Sequence, residues 1–165
     1  MDTIKDYLPL CWFKADPLKL TRSVSFFKQN LVFCFIVEFF MQANMTDDPF
    51  ESFYEVGLET ILTLLFIGVM LFFNKTLSAY VQIATAVLFC SNVVAIPIVP
   101  VLIWLTVSED LLSYYVMGLI LLWDYAMVAY IIRQVIGVNI AASMVLPLAY
   151  FIATYLGAFA LGQLM

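Results

Sequence analysis

Histidine is missing from this sequence, and charged side chains are scarce. Without histidine, the chain lacks the commonest metal ligand and the commonest general base near neutral pH. Charged residues make up 12% of the sequence and hydrophobic residues 65%, whereas a soluble domain is about a quarter charged and about half apolar. A water-exposed globule with so little polar surface would aggregate. The composition therefore predicts an integral membrane protein.

The signatures of catalysis and metal binding are also missing. Cys11, Cys34 and Cys90 are too scattered for a zinc site, and an odd number of cysteines forms no complete disulfide framework. No serine, threonine or cysteine has a base nearby in the sequence, and there is no phosphate-binding loop. The one basic cluster flanks an apolar segment, which does not suggest nucleic-acid binding. We predict no enzymatic activity, no metal, no cofactor and no nucleic-acid partner.

Five apolar segments, separated by short polar links, make up most of the chain. About 20 apolar residues are enough to cross a bilayer as a helix. The third segment has no charged residue between Tyr80 and Trp104. The pattern predicts an all-α bundle of five transmembrane helices with an N-terminal interfacial arm. The arm covers 1–28 and the transmembrane domain 29–165, with helices at about 23–43, 53–73, 77–105, 111–132 and 139–161.

The N-terminal arm mixes aromatic, apolar and basic residues on both sides of Pro17. This composition favours a short segment in the membrane interface, with aromatic rings at headgroup depth and bases that reach the phosphates. The alternative is an arm that packs on the helical bundle. The predicted interfacial anchors are Trp12, Lys14, Lys19, Arg22 and Lys28.

Basic residues predict the orientation of the helices. Five of the seven lie at or before Lys28, ahead of the strictly apolar part of the first helix, Lys75 lies between the second and third helices, and Arg133 lies between the fourth and fifth. With five crossings all seven lie on one side, which is the cytoplasmic side by the positive-inside rule. The N-terminus is then cytoplasmic and the C-terminus lies outside. The acids assigned to the outer side are Asp47, Asp48, Glu51, Glu55, Glu59, Glu109 and Asp110.

Three stretches of this chain point to a family: LCWFKADPLKL, KTLSAYVQIATAVLFCSNVVAIPIVP and VAYIIRQVIGVNIAASMVLPLAYFI. Together they resemble the arm, the middle helix and the last loop and helix of the Yip (Ypt-interacting protein) family. The resemblance implies a cytoplasmic arm, five closely spaced helices and an outer C-terminus, without a catalytic signature. The family is linked to membrane traffic and Rab GTPases in eukaryotes. This short chain is most similar to the bacterial inner-membrane members, which implies a periplasmic C-terminus.

Polar residues recur along two of the predicted helices. In the first helix, Glu38 belongs to a row at four-residue spacing, and in the third helix Gln82, Thr85 and Asn92 share one face. Unpaired polar groups are costly in lipid, so both rows are expected to face protein or a water-filled cavity. Hydrogen bonds between helices are one interpretation, and a polar pathway is the other. The row around Glu38 also contains Asn30, Cys34 and Gln42.

Two acids are expected at the same depth in the membrane. Glu38 lies ten residues after Lys28, and Asp124 lies nine residues before Arg133. If both bases mark one interface, both acids lie about 14 Å deep, near the middle of a core of about 30 Å. We expect both to face the bundle interior, with at least one of them protonated. They then serve a proton or cation role, or donate hydrogen bonds to Gln82, Thr85 or backbone carbonyls.

Prolines and small residues mark the third and fifth helices. Pro97, Pro100 and Pro147 each lack a backbone N–H, so they are assigned as helix breaks, which act as binding-site elements in some transporters and as simple kinks elsewhere. A row of small residues allows close helix packing against this chain or another. The row consists of Ala149, Ala153 and Gly157.

Two hypotheses for the function follow from the sequence. The first is a non-enzymatic subunit or scaffold that binds another membrane protein or a second copy of the chain. The second is a small transporter or channel component with a polar site inside the membrane. The sequence favours the first, because a unit of five helices leaves little room for a lined pathway.

Overall fold

The computed structural model describes residues 2–44, 48–108 and 110–162, and this part of the chain contains helices and no strand. Among the described residues, five helical stretches are long and apolar enough to cross a membrane, which confirms the predicted all-α architecture. Asp47 and Glu109, assigned above to acidic links, lie outside the described residues. The five stretches are Val24–Ala43, Pro49–Phe73, Leu77–Ser108, Leu111–Ile136 and Ala141–Gly162.

The described residues form seven α-helices. The last two are joined without a break by a five-residue π-helical segment, Ile152–Leu156. The helices are α1 (Asp2–Tyr7), α2 (Val24–Ala43), α3 (Pro49–Phe73), α4 (Tyr80–Ser108), α5 (Leu111–Ile136), α6 (Ile140–Phe151) and α7 (Gly157–Gly162).

Side-chain caps set where the long helices begin. Ser23, Asp48, Asp110 and Asn139 each precede a helix, and each accepts a hydrogen bond from a backbone N–H two or three residues ahead. Such caps satisfy the donors that a helix start leaves free. The cap at Asp48 starts α3 four residues before the predicted position, with Pro49 at the first helical position, where proline is favoured.

Helix α5 ends later than predicted, at Ile136 instead of residue 132. Gly137 follows with a φ of 68°, and its N–H donates to the Arg133 carbonyl over 2.9 Å. This left-handed conformation is strained for residues with a side chain, so glycine is the natural helix stop. Arg133 therefore lies in the last turn of α5 and not in a loop.

The assigned helix breaks at Pro97 and Pro100 are wrong for the backbone, because α4 continues through both prolines from Tyr80 to Ser108. Each proline removes one hydrogen bond from the helix. In an apolar surrounding the other backbone groups still need partners, which favours keeping the helix. Pro147 likewise lies inside α6, which ends four residues later at Phe151.

The ends of the bundle carry opposite charges. Asn74, in the α3–α4 link, donates to the Val135 carbonyl near the end of α5 over 2.8 Å. Lys75 and Arg133 therefore lie at one end of the bundle, here called the basic end. The other end, where α3 and α5 begin at Asp48 and Asp110, is called the acidic end.

The N-terminal arm packs against the bundle at the basic end. Tyr7, Leu10 and Cys11 have at most 1% of their surface exposed. The Tyr7 ring contacts Phe26 of α2 and Phe89 of α4, with centroid distances of 5.2 and 5.8 Å. Burial raises the pKa of Tyr7. The arm thus belongs to the core of the protein, which was the alternative to an interfacial segment.

Side chains of α4 and α5 bind the backbone of the arm. Gln82 donates to the Leu20 carbonyl over 2.7 Å, Trp123 to the Cys11 carbonyl over 3.2 Å, and Tyr130 to the Ala15 carbonyl over 3.1 Å. Irregular backbone is tolerated at membrane depth only where protein satisfies its polar groups. These three donors satisfy three backbone carbonyl groups of the arm.

The arm reaches far along the bundle. Its contact with Trp123 lies 13 residues before the end of α5 at Ile136, or about 20 Å at 1.5 Å per residue. At the same level the Cys11 and Cys90 sulfurs are 3.9 Å apart, and the hydrogen bond with Cys90 lowers the pKa of Cys11. The deepest part of the arm therefore lies well inside the bundle.

Candidate functional site

A cavity of about 280 Å³ lies between the long helices, on the acidic side of the arm. On α4 the lining begins at Ser91, directly after Cys90, which the arm contacts through Cys11. On α2 the lining runs from Cys34 to Gln42, which lies in the last turn of the helix before Ala43. The cavity, here called the acidic cavity, therefore reaches from mid-helix toward the acidic end.

Helix α2 contributes Glu38 to the acidic cavity. The Cys34 thiol, one turn earlier, donates to the Glu38 Oε1 over 3.0 Å. Asn30, a further turn back, is only 7% exposed and bonds to Asn92 of α4. The predicted polar row of α2 thus faces the bundle, and its upper part faces the cavity.

Helix α3 contributes Glu59, which the sequence assigned to an outer loop. That assignment is wrong, because α3 begins at Pro49 and Glu59 lies almost three turns inside it. The sequence did carry a signal, since Ser52, Glu55, Glu59 and Thr63 recur at three- and four-residue steps, the spacing of one helix face. Glu55 is also held inside, where it accepts a hydrogen bond from Gln42 over 2.5 Å.

The π-helical segment brings Tyr155 to the cavity wall. Its side chain lies within hydrogen-bonding range of the Glu59 carboxyl. A π turn inserts one extra residue and changes which side chains face inward, and such turns are common at functional sites. Sequence reasoning missed Tyr155, since no sequence pattern marked the π turn.

Helices α4 and α5 supply acceptors that have no partner. Asn92 is 7% exposed and donates from its Nδ2 to Asn30, but its buried Oδ1 has no hydrogen-bond partner within the described residues. The same holds for the buried Oδ1 of Asp124. Both residues line the acidic cavity. An unsatisfied buried acceptor costs about 1–3 kcal/mol, so these two atoms call for an explanation.

The acidic cavity contains three carboxyl groups and no basic side chain among its described lining residues. Glu59 and Asp124 both lie within electrostatic range of Glu38. Across residues 2–44, 48–108 and 110–162 no group of three or more potential ligands is close enough to hold a metal ion. The three carboxyl groups therefore surround a space and do not converge on one point.

Gln82 and Thr85, expected beside the two acids, are absent from the described lining of the cavity. Gln82 binds the arm, as described above. Thr85 is fully buried and donates to the Val81 carbonyl of its own helix over 2.5 Å. The structure thus brings Glu38, Asp124 and Asn92 together at the cavity. It places Gln82 and Thr85 in the part of the bundle that packs against the arm, here called the arm half.

The predicted row of small residues is divided. Gly157 approaches α3, where an added Cβ would lie 3.3 Å from a methyl carbon of Leu62. Ala149 and Ala153 are exposed on the outer face of the fifth span. The close packing inside the chain continues instead through Ala158, which is 3% exposed.

The predicted interfacial anchors lie on the outside of the arm and of α2. Lys14, Arg22 and Lys28 are exposed, and Lys19 pairs with Asp16 over 3.3 Å on the surface. Trp12 is 62% exposed while its ring contacts Trp123 at a centroid distance of 5.9 Å.

Comparison with family models, with curated proteins and with solved structures found no match for this chain.

Proposed function

We propose that this protein binds a small cation in the acidic cavity and acts as a transporter or as the cation-binding component of one. The observation that carries the proposal is the pair of unpartnered acceptors, Asn92 Oδ1 and Asp124 Oδ1, in a cavity that also contains Glu38 and Glu59. Buried polar groups are normally paired, and exceptions require a reason. A bound cation would satisfy both acceptors and offset the negative charge.

The depth of the cavity supports the same proposal. Ionisable residues inside a membrane are costly and commonly mark ion, proton or substrate pathways. Here three helices each contribute one carboxyl group to a common space. Glu38 accepts a hydrogen bond from Cys34, and Glu55 accepts one from Gln42, but the buried Oδ1 of Asp124 has no such donor among the described residues. The sequence favoured a scaffold because a unit of five helices leaves little room for a lined pathway. The acidic cavity, however, has a volume of about 280 Å³.

Cation flux in proteoliposomes tests this function. Liposomes with purified protein and a pH-sensitive dye are given an outward Na⁺ or K⁺ gradient, and the internal pH is followed. We expect a faster pH change than in empty liposomes if a cation exchanges for protons. Asp124→Asn should abolish the difference, because the amide cannot carry the charge.

Glu51→Gln is the matched control for this measurement. Glu51 lies in the first turn of α3, is exposed and is outside the acidic cavity. The control should keep wild-type flux. Flux that is equal in wild type, Asp124→Asn and empty liposomes would contradict transport by this protein alone.

We further propose that the basic end faces the cytoplasm, in a bacterial inner membrane. The seven bases and the positive-inside rule support this orientation, and the Yip resemblance implies the same one. Cysteines placed at Lys75 and Asp110 test it with a membrane-impermeant thiol reagent, since the three native cysteines are buried. Labelling of position 75 from outside would reverse the assignment.

A second candidate function is the scaffold predicted from the sequence. The observation that favours it is the exposure of Ala149 and Ala153, whose small side chains would allow a helix of a membrane-protein partner or of a second copy to approach closely. Purification in mild detergent at native expression tests this role. A stoichiometric partner that is lost in Ala153→Leu supports it, and an unchanged monomer contradicts it.

A further inference from the structure

Several donors around the acidic cavity are already engaged within the protein. The Cys34 thiol bonds to Glu38, the Gln42 amide bonds to Glu55, and the Asn92 Nδ2 bonds to Asn30. The Tyr155 side chain is in range of Glu59. Three donor groups that could otherwise bind a ligand are thus directed at other residues of the chain, and the Ser91 hydroxyl, which can donate or accept, remains at the cavity wall.

The atoms left without partners are acceptors. The Oδ1 of Asn92 can only accept a hydrogen bond, and so can the Oδ1 of an ionised Asp124. Because both atoms are buried beside two further carboxyl groups, a complementary ligand needs several N–H donors and a positive charge. A primary ammonium group has three N–H donors and no acceptor.

The remaining wall of the acidic cavity is apolar. Met41, Val56, Ile98, Leu102 and Met117 line it together with the polar groups. An inorganic cation with its water shell would gain nothing from these side chains, whereas a short alkyl chain would bury apolar surface. The volume of about 280 Å³ lies just below the roughly 300–1,000 Å³ of typical small-molecule sites, so the ligand is small.

We infer that the ligand of the acidic cavity is a small primary amine in its ammonium form, with its charged group at Asp124 and Asn92 and a short apolar chain against Ile98 and Leu102. This inference rests on the proposed cation-binding function and specifies its ligand class. Asp124 supplies charge, Asn92 supplies a neutral acceptor, and the apolar wall adds a contact that an alkyl chain makes and an inorganic cation does not.

Calorimetric titration of the full-length protein in phosphatidylcholine nanodiscs tests the ligand class. The probes are n-butylammonium, tetramethylammonium, which has no N–H, and 1-butanol, which has no charge. We expect saturable binding of n-butylammonium only. Asp124→Asn should weaken it roughly tenfold or more, since a hydrogen bond to a charged group contributes about 1.5–3 kcal/mol.

Two variants keep the result interpretable. Asn92→Leu removes the neutral acceptor and should weaken n-butylammonium binding several-fold, while the exposed Glu51→Gln should bind like wild type. Helix content and elution volume must match wild type in each variant. Tetramethylammonium that binds as well as n-butylammonium, or binding that is unchanged in Asp124→Asn, would overturn the inference.

Combination with the flux measurement separates the two proposals. Flux that depends on Asp124 without n-butylammonium binding would reject the amine and leave the cation-binding function standing. Absence of both would reject both. Added phosphatidylethanolamine tests the source of the ammonium group: competition with n-butylammonium assigns the site to the lipid headgroup, and lack of competition assigns it to a soluble amine.

Discussion

The two halves of the bundle use buried polar side chains in opposite ways. In the arm half, Gln82, Trp123 and Tyr130 each donate to a backbone carbonyl of the arm. In the part of the bundle that surrounds the acidic cavity, here called the cavity half, the buried Oδ1 atoms of Asn92 and Asp124 have no hydrogen-bond partner among the described residues. The two sets are interleaved along the same helices, since Trp123 and Asp124 are neighbours in α5.

This difference distinguishes polar side chains that hold the fold together from polar side chains that are available to a ligand. A satisfied hydrogen bond fixes one arrangement, whereas an unsatisfied acceptor costs stability and offers a binding site. Polar residues alone do not distinguish the two uses, because both halves contain amides at helical spacing. The number of partners per polar atom does distinguish them, and it predicts opposite responses to mutation.

The largest loss of stability is expected in the arm half, from Tyr7→Ala. Tyr7 is fully buried, contacts Phe26 and Phe89, and donates to the Thr21 carbonyl. Truncation of a buried aromatic ring costs about 3–5 kcal/mol. Thermal unfolding in detergent, followed by intrinsic fluorescence, should show a clearly lower midpoint.

Tyr54→Ala is the control, because Tyr54 is 55% exposed on α3. Its midpoint should stay close to that of wild type. Equal midpoints for Tyr7→Ala and wild type would show that the arm does not contribute to the folded core.

A smaller loss is expected from Gln82→Leu, which removes the donor to Leu20 but keeps the side-chain bulk. The Leu20 carbonyl would lose its partner in an apolar setting, at a cost of about 1–2 kcal/mol. Gln134→Leu, at an exposed position in the last turn of α5, should have little effect. A destabilisation shared by both variants would point to a general effect of the substitution.

The cavity half should respond with the opposite sign. Asp124→Leu removes an unpartnered buried acceptor, so we expect a gain of about 1 kcal/mol in stability together with loss of cation binding. Glu55→Leu is the matched comparison, since Glu55 is 8% exposed and paired with Gln42. Its removal should destabilise. If Asp124→Leu destabilises as much, Asp124 is a structural residue and the contrast between the halves is lost.

No measurable change in unfolding is expected from Lys19→Ala. Lys19 pairs with Asp16 on the surface of the arm, and exposed ion pairs contribute little. A clear shift of the unfolding midpoint would show that surface charge helps to hold the arm in place.

The sequence was sufficient to predict the five spans, because the length and polarity of each segment decide them locally. It did not predict the docking of the arm, which depends on donors more than 60 residues away, such as Gln82 for Leu20. Irregular backbone leaves no periodic signal. Asp48 and Pro49 form a typical helix start and could have predicted the early beginning of α3, but the acidic residues around them suggested a loop.

The candidate site was predicted in part. The spacing of Glu38 and Asp124 from nearby bases indicated a common depth, and the two residues do line one cavity. Glu59 was missed with the start of α3, and Tyr155 was missed because its direction depends on the π turn. Gln82 and Thr85 were placed beside the acids from depth alone, whereas the direction around the helix axis decided their contacts.

The docked arm also has a consequence for how the protein is made. The arm is synthesised well before its partners in α5, since Trp123 follows Cys11 by 112 residues. At about 5–20 residues per second, elongation alone separates the two by roughly 5–20 s. During this interval the Cys11 and Ala15 carbonyls lack their hydrogen-bond donors in α5. The exposed lysines of the arm suit a temporary position on the membrane surface, so the arm can complete its docking only after α5 has been made.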